Sequence, residues 1–167
     1  RKRRCEEGAL SRGTSTTLSA KQLTHLLEAP SSVSELLGLR AHISAFDPVH
    51  TTLAILKLRQ LMKKEESVSK PAVDLFVSLV LDRLAALAGD RWTLGACDMS
   101  QTMSHARKLG VLPRPAARDV IRGRVIRLAP TLTKHDATFF AKILHLWGAP
   151  PAPELGERLA ALEWNAE

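Results

Sequence analysis

The chain has 167 residues, of which 45% are apolar, and it carries a formal charge of +7. That length fits one ordinary domain, and the apolar share excludes a disordered tail. No apolar run approaches the roughly 18 residues of a membrane span, and no apolar segment of the signal-peptide kind follows the opening Arg1-Lys2-Arg3-Arg4.

Residues 1–17 read as a basic N-terminal arm and residues 18–167 as one helical-repeat domain. Aromatics are only 4% and Tyr is absent, so Leu, Ala, Val and Ile must carry the packing, which suits helices better than sheets. Leu18, Leu23, Leu26 and Leu27 mark a first helix that Pro30 stops, and Val33, Leu36, Leu37 and Leu39 mark a second. A third runs from about Asp47 to Met62. Val49, Leu53, Leu56 and Leu61 form one stripe on it and Ala54, Ile55 and Leu58 another, which predicts a helix sandwiched between neighbours. Residues 63–70 are polar and read as a loop before Pro71. The fourth helix, about 71–88, places Val73, Phe76, Val80, Leu84 and Leu87 on one face, and Gly89-Asp90 ends it. The fifth, about 98–109, turns Met99, Met103 and Ala106 inward and is followed by Gly110. The sixth, 115–128, carries Ala117, Val120, Ile121, Val125 and Leu128 on one face. The seventh, about 136–147, carries Phe140, Ala141, Leu144 and Trp147 ahead of Gly148, and an eighth begins near Pro153. No alternating strand pattern competes, so the expected fold is all-α.

Shifting the chain by 38 residues superposes Thr93 on Thr131, Leu94 on Leu132, Asp98 on Asp136, Gly110 on Gly148, Pro113 on Pro151 and Pro115 on Pro153. The coincidences fall on helix punctuation, where a helix–turn–helix unit repeats itself. They predict stacked antiparallel helix pairs, a short α-solenoid with clear repeats at about 71–112 and 113–150. A looser unit at about 31–62 aligns Phe46 with Leu94 and Leu61 with Leu109 at a shift of 48, the extra residues falling in the polar loop. Asp47, Asp98 and Asp136 are expected as helix caps.

The charge is uneven. Between Met99 and His135 stand Arg107, Lys108, Arg114, Arg118, Arg122, Arg124, Arg127 and Lys134 against the single acid Asp119, so this stretch alone carries +7. Residues 149–167 net −3. The sixth helix thus reads as amphipathic with arginines on its wet side. Guanidinium pairs bidentately with phosphate and stacks on bases, so these eight residues are the candidate RNA-binding set, with Arg1, Lys2, Arg3 and Arg4 as a secondary basic arm. An acidic protein surface, or plain solvation of the helix, are the other readings of the same charges.

No chemistry of catalysis stands out. His25, His42, His50, His105, His135 and His145 form no His-x-x-x-His pair and none lies at metal-ligand spacing from a Cys. No phosphate-binding glycine loop and no locally supported Ser/His/Asp arrangement is present, so no catalytic residue, metal or cofactor is expected. Cys5 and Cys97 read as free thiols of a reducing compartment, Cys97 as buried or half-buried. Trp92, Trp147 and Trp164 read as packing anchors, with Trp92 also placed to stack on a base. The absence of an initiator Met reads as a processed chain or a piece of a longer one.

The helix-pair period and the segment Lys134–Leu155, KHDATFFAKILHLWGAPPAPEL, resemble the octotricopeptide repeat and the related helical-repeat proteins that often carry a RAP domain. Residues 31–61, SSVSELLGLRAHISAFDPVHTTLAILKLRQL, look like the helix pairs of the same proteins. The resemblance implies organellar RNA work in a mitochondrial matrix. Two clear repeats are few for reading a sequence base by base, which points to a subunit of a mitochondrial ribosome. The expected partners are rRNA or other organellar RNA and neighbouring proteins of a large complex, without membrane insertion. The alternative is a structural adaptor of a large organellar protein complex that touches no RNA.

Overall fold

The computed structural model describes residues 18–89 and 94–164. The basic arm of residues 1–17, Trp92 and the side chain of Trp164 lie outside the described residues. Within them the chain forms α1 (Ala20–Glu28), α2 (Val33–Gly38), α3 (Pro48–Met62), α4 (Lys70–Gly89), α5 (Ala96–Lys108), α6 (Pro115–Leu128), α7 (Lys134–Leu146) and α8 (Pro153–Trp164). Two 3₁₀ segments, Leu39–Ala45 and Ala129–Thr131, join them, and no strand occurs among the described residues.

Local chemistry sets most of the boundaries. Ser19 caps α1 in a capping box with Gln22, and Asp47 caps α3 in the same way with His50. Pro48 and Pro115 stand in the first turns of α3 and α6, where a missing N–H costs nothing. Asp98 and Asp136 are not caps: α5 and α7 start earlier, on Gly95 and Thr133. The Thr133 hydroxyl accepts from the Asp136 N–H at 3.1 Å and donates to the Asp136 carboxylate at 2.6 Å. Each acid therefore sits three residues inside the helix, where it meets the positive end of the helix dipole.

α3 is sandwiched, packing on α1, α2, α4 and α5. Its core stripe is Thr51, Ala54, Ile55, Leu58 and Leu61, whereas Val49 stands 61% exposed. Val120 of α6, expected inward, is also exposed. One series of neighbours runs α1–α3–α5–α7. α4 and α6 pair beside it, and α8 closes on α7. A single apolar cluster continues from Leu23 to Leu155 through every helix.

Two features recur along the chain. Gly110 and Gly148, 38 residues apart, both adopt positive φ, 73° and 67°. Each closes its helix identically. Gly110 donates to the Arg107 carbonyl and Val111 to that of Ala106, while Gly148 donates to His145 and Ala149 to Leu144. The second feature is an arginine bracket. Phe46, Leu94 and Leu132, each 1% exposed, immediately precede the caps of α3, α5 and α7. Their carbonyls accept from Arg83 Nε of α4 at 2.7 Å, from Arg124 Nε and Nη2 of α6 at 3.1 and 2.7 Å, and from Arg158 Nε of α8 at 2.9 Å. In each case the helix following α3, α5 or α7 reaches back and satisfies a buried carbonyl at that helix's entry.

Candidate functional site

α6 carries five of the eight basic residues singled out in the sequence, counting Arg114 at its cap. Its buried stripe is Ala117, Ile121, Arg124 and Val125. Arg124 thus belongs to the inner face and not to the wet one. It is 9% exposed, and its guanidinium is held by the Leu94 carbonyl, so a phosphate cannot reach it without displacing that contact. The misassignment has a geometric cause: a long side chain on an apolar stripe can serve a buried carbonyl as well as it can reach water.

The other α6 arginines splay to both flanks. Arg118 donates through Nη1 to the Gly148 carbonyl at 3.1 Å and through Nε to Asp119 at 3.0 Å. Arg122, half-buried, donates to the carbonyls of Pro150 and Pro151. Arg118 and Arg122 therefore tie α6 to the turn between α7 and α8. On the opposite flank, Arg114 pairs with Asp82 of α4 and Arg127 donates to the Ala88 carbonyl at 2.9 Å. Arg118 and Arg122 each donate to two groups and are half-buried, whereas Arg114 and Arg127 are exposed, Arg114 at 58%. Lys134 stands exposed at the start of α7 with Glu163 at 3.3 Å. Arg107 and Lys108 lie exposed in the last turn of α5. The structure thus groups Arg114, Arg118, Arg122 and Arg127 on one helix, leaves Arg107 and Lys108 at the end of another, and removes Arg124.

Other polar residues acquire roles the charge pattern did not announce. His50 is buried. Its Nε2 lies 3.0 Å from the Ala20 carbonyl and 3.1 Å from the Thr24 hydroxyl, which fastens α3 to the start of α1. Lys57, two turns further along α3, donates to the Glu28 carbonyl at the end of α1. Arg59 Nη1 lies 2.6 Å from His105 Nδ1. Burial, then the charges of Arg59 and Lys108, hold the His105 pKa below its ordinary value. Its neutral ring is therefore an acceptor for Arg59. Cys97, expected to be buried or half-buried, is exposed on the first turn of α5, where Gln101 donates to its sulfur at 3.4 Å. Among the described residues no group of three His, Cys, Asp or Glu side chains is placed to hold a metal ion, and no helix is long and apolar enough to cross a membrane. The sequence signal for the brackets was present: an arginine on the second helix after each of the aligned residues Phe46, Leu94 and Leu132.

No family model matches the chain, and no curated protein or solved structure matches it either.

Proposed function

We propose that the chain is a short stack of helix pairs that serves as an RNA-associated structural subunit of an organellar ribonucleoprotein, a mitochondrial ribosome in the leading case. The matched glycine-closed ends of α5 and α7 and the three arginine brackets support the stack. The observation that carries the RNA reading is the α6 row. Arg114, Arg118, Arg122 and Arg127 are each held by partners within the chain, with Arg114 and Arg127 exposed and Arg118 and Arg122 half-buried. A cation already held in place loses little freedom on meeting a phosphate. Arg107, Lys108 and Lys134 extend the basic surface, and the segment's only acid is Asp119. Arg124 is no part of this proposal.

A second reading rests on the same contacts. If the α6 arginines act only as ties between helix pairs, the chain is a structural adaptor of a large protein complex and needs no RNA. The two readings separate in a salt titration. Single-stranded or duplex RNA binding is measured by filter retention on the chain and on a variant with Arg118, Arg122 and Arg127 replaced by Gln, with circular dichroism as the control for folding. Phosphate contact predicts weaker binding and a log–log salt slope smaller by about 2–3. Unchanged affinity and slope in the folded variant would exclude the α6 face.

A further inference from the structure

The α5–α7 seam, a surface distinct from the α6 row, offers a different chemistry. Phe139 of α7 is half-buried at its middle, edge-on to Phe140 with ring centroids 5.5 Å apart. Two hollows meet at Phe139. The first, about 230 Å³, runs toward the helix starts past Ser104, His105 and His135. The second, about 150 Å³, runs toward the helix ends and is lined by Arg107, Phe139, Lys142, Ile143 and Leu146. Its floor is apolar, and Leu146 at its end stands 50% exposed. A hollow of about this size admits a benzene ring, hence one leucine or phenylalanine side chain.

The charges around that floor have one sign. Arg107 and Lys142 line it, Lys108 is exposed beside Arg107, and no carboxylate is among its lining in the described residues. Asp136 lines the first hollow instead, and its carboxylate accepts from the Thr133 hydroxyl. An aliphatic floor under a cationic rim is complementary to a segment that is apolar on one face and acidic on the other. A nucleic acid strand would satisfy the rim but leave the exposed Leu146 without apolar cover.

We propose that the α5–α7 seam is a docking groove for an acidic amphipathic segment of a protein partner, which seats one large apolar side chain between Phe139 and Leu146 and sets carboxylates against Arg107 and Lys142. The groove shares Arg107 and Lys108 with the basic surface, but its apolar floor lies off α6, so RNA held by the α6 row alone leaves that floor open.

The test uses the whole chain and a fluorescent amphipathic peptide of about four helical turns, with leucines on one face and glutamates on the other, followed by anisotropy. The acidic peptide binds, and hydrogen exchange slows in α5 and α7. The same peptide with lysines for glutamates, or with serines for leucines, binds at least about tenfold more weakly. Leu146→Glu and Lys142→Glu alter exposed side chains and each weaken binding by about tenfold or more. Leu146→Ser serves if the Glu variant unfolds. The Gln variant of α6 leaves peptide binding unchanged, so this groove and the RNA reading fail independently. No binding of the acidic peptide, equal binding of the lysine version, or indifference to both substitutions at Leu146 overturns the proposal. So does a Leu146-dependent affinity for oligouridylate that exceeds that for the peptide.

Discussion

Arg124 supplies the sharpest test of the arginine bracket. Arg124→Met keeps the aliphatic stem and removes the guanidinium. Two N–H donors, 3.1 and 2.7 Å from the Leu94 carbonyl, are lost, and that carbonyl, on a residue 1% exposed, is stranded beside a thioether. A hydrogen bond from a charged donor contributes about 1.5–3 kcal/mol, and an orphaned buried acceptor adds a desolvation penalty. The expected loss is about 3 kcal/mol, which for a chain of this size lowers Tm by roughly 6–12 °C. The half-buried Arg158 gives one N–H to Leu132 at 2.9 Å. Arg158→Met should therefore lose less, about 1.5–2 kcal/mol. Urea unfolding of both variants beside the parent measures the difference. An Arg124→Met protein that keeps the parent's midpoint while its RNA affinity falls would refute the bracket and return Arg124 to the binding surface.

Glycine substitution separates backbone need from space. Gly110→Ala and Gly148→Ala should each cost about 1–2 kcal/mol, because both sites hold positive φ although the added methyl would meet nothing closer than 4.0 Å. Gly123→Ala in α6 meets only Arg127 Nη1, at 3.8 Å, and should be neutral or stabilising by up to about 1 kcal/mol; thermal melts that rank the three alike would contradict this. For His105 the folded pKa lies below the unfolded 6.5, so the folded state holds its proton less readily. The stability this ring contributes is present above about pH 6.5 and is lost as pH falls toward its folded pKa. His105→Gln should flatten the fall in urea midpoint between about pH 7.5 and about pH 5.5, and an unaltered pH profile would remove Arg59 and His105 as a coupled pair.

Helix existence and order were legible in the sequence because apolar spacing, Pro and Gly are local signals that tertiary structure has no reason to override here. Gly110 and Gly148 were placed correctly because a helix ending in positive φ all but requires Gly. The starts of α5 and α7 were missed by the preference for an acid at the cap. At α7 a Thr caps and the acid supports it from inside, and at α5 Gly95 caps with no side chain at all. The 3₁₀ segment Leu39–Ala45 gave no periodic signal, since only Ile43 of it is buried. Of the two stripes read on α3, Ala54, Ile55, Leu58 and Leu61 are buried and Leu53 and Leu56 half-buried, while Val49, in the first turn, is exposed.

The candidate site was the least legible part. An arginine that ties two helix pairs and one that waits for a phosphate produce the same pattern on a helical wheel. Both stand at i and i+4, beside an apolar stripe, among few acids. What distinguishes them is the neighbour at the far end of the side chain, set by how the next turn passes over the helix. Arg118 and Arg122 reach Gly148, Pro150 and Pro151, and those residues lie close only because α7 ends on a positive-φ glycine that sends the chain back across α6. The glycines and prolines that coincide at the 38-residue shift therefore also decide which arginines are occupied. A basic helix in an all-α chain has to be read together with the turn that passes over it before its charges are counted toward a ligand.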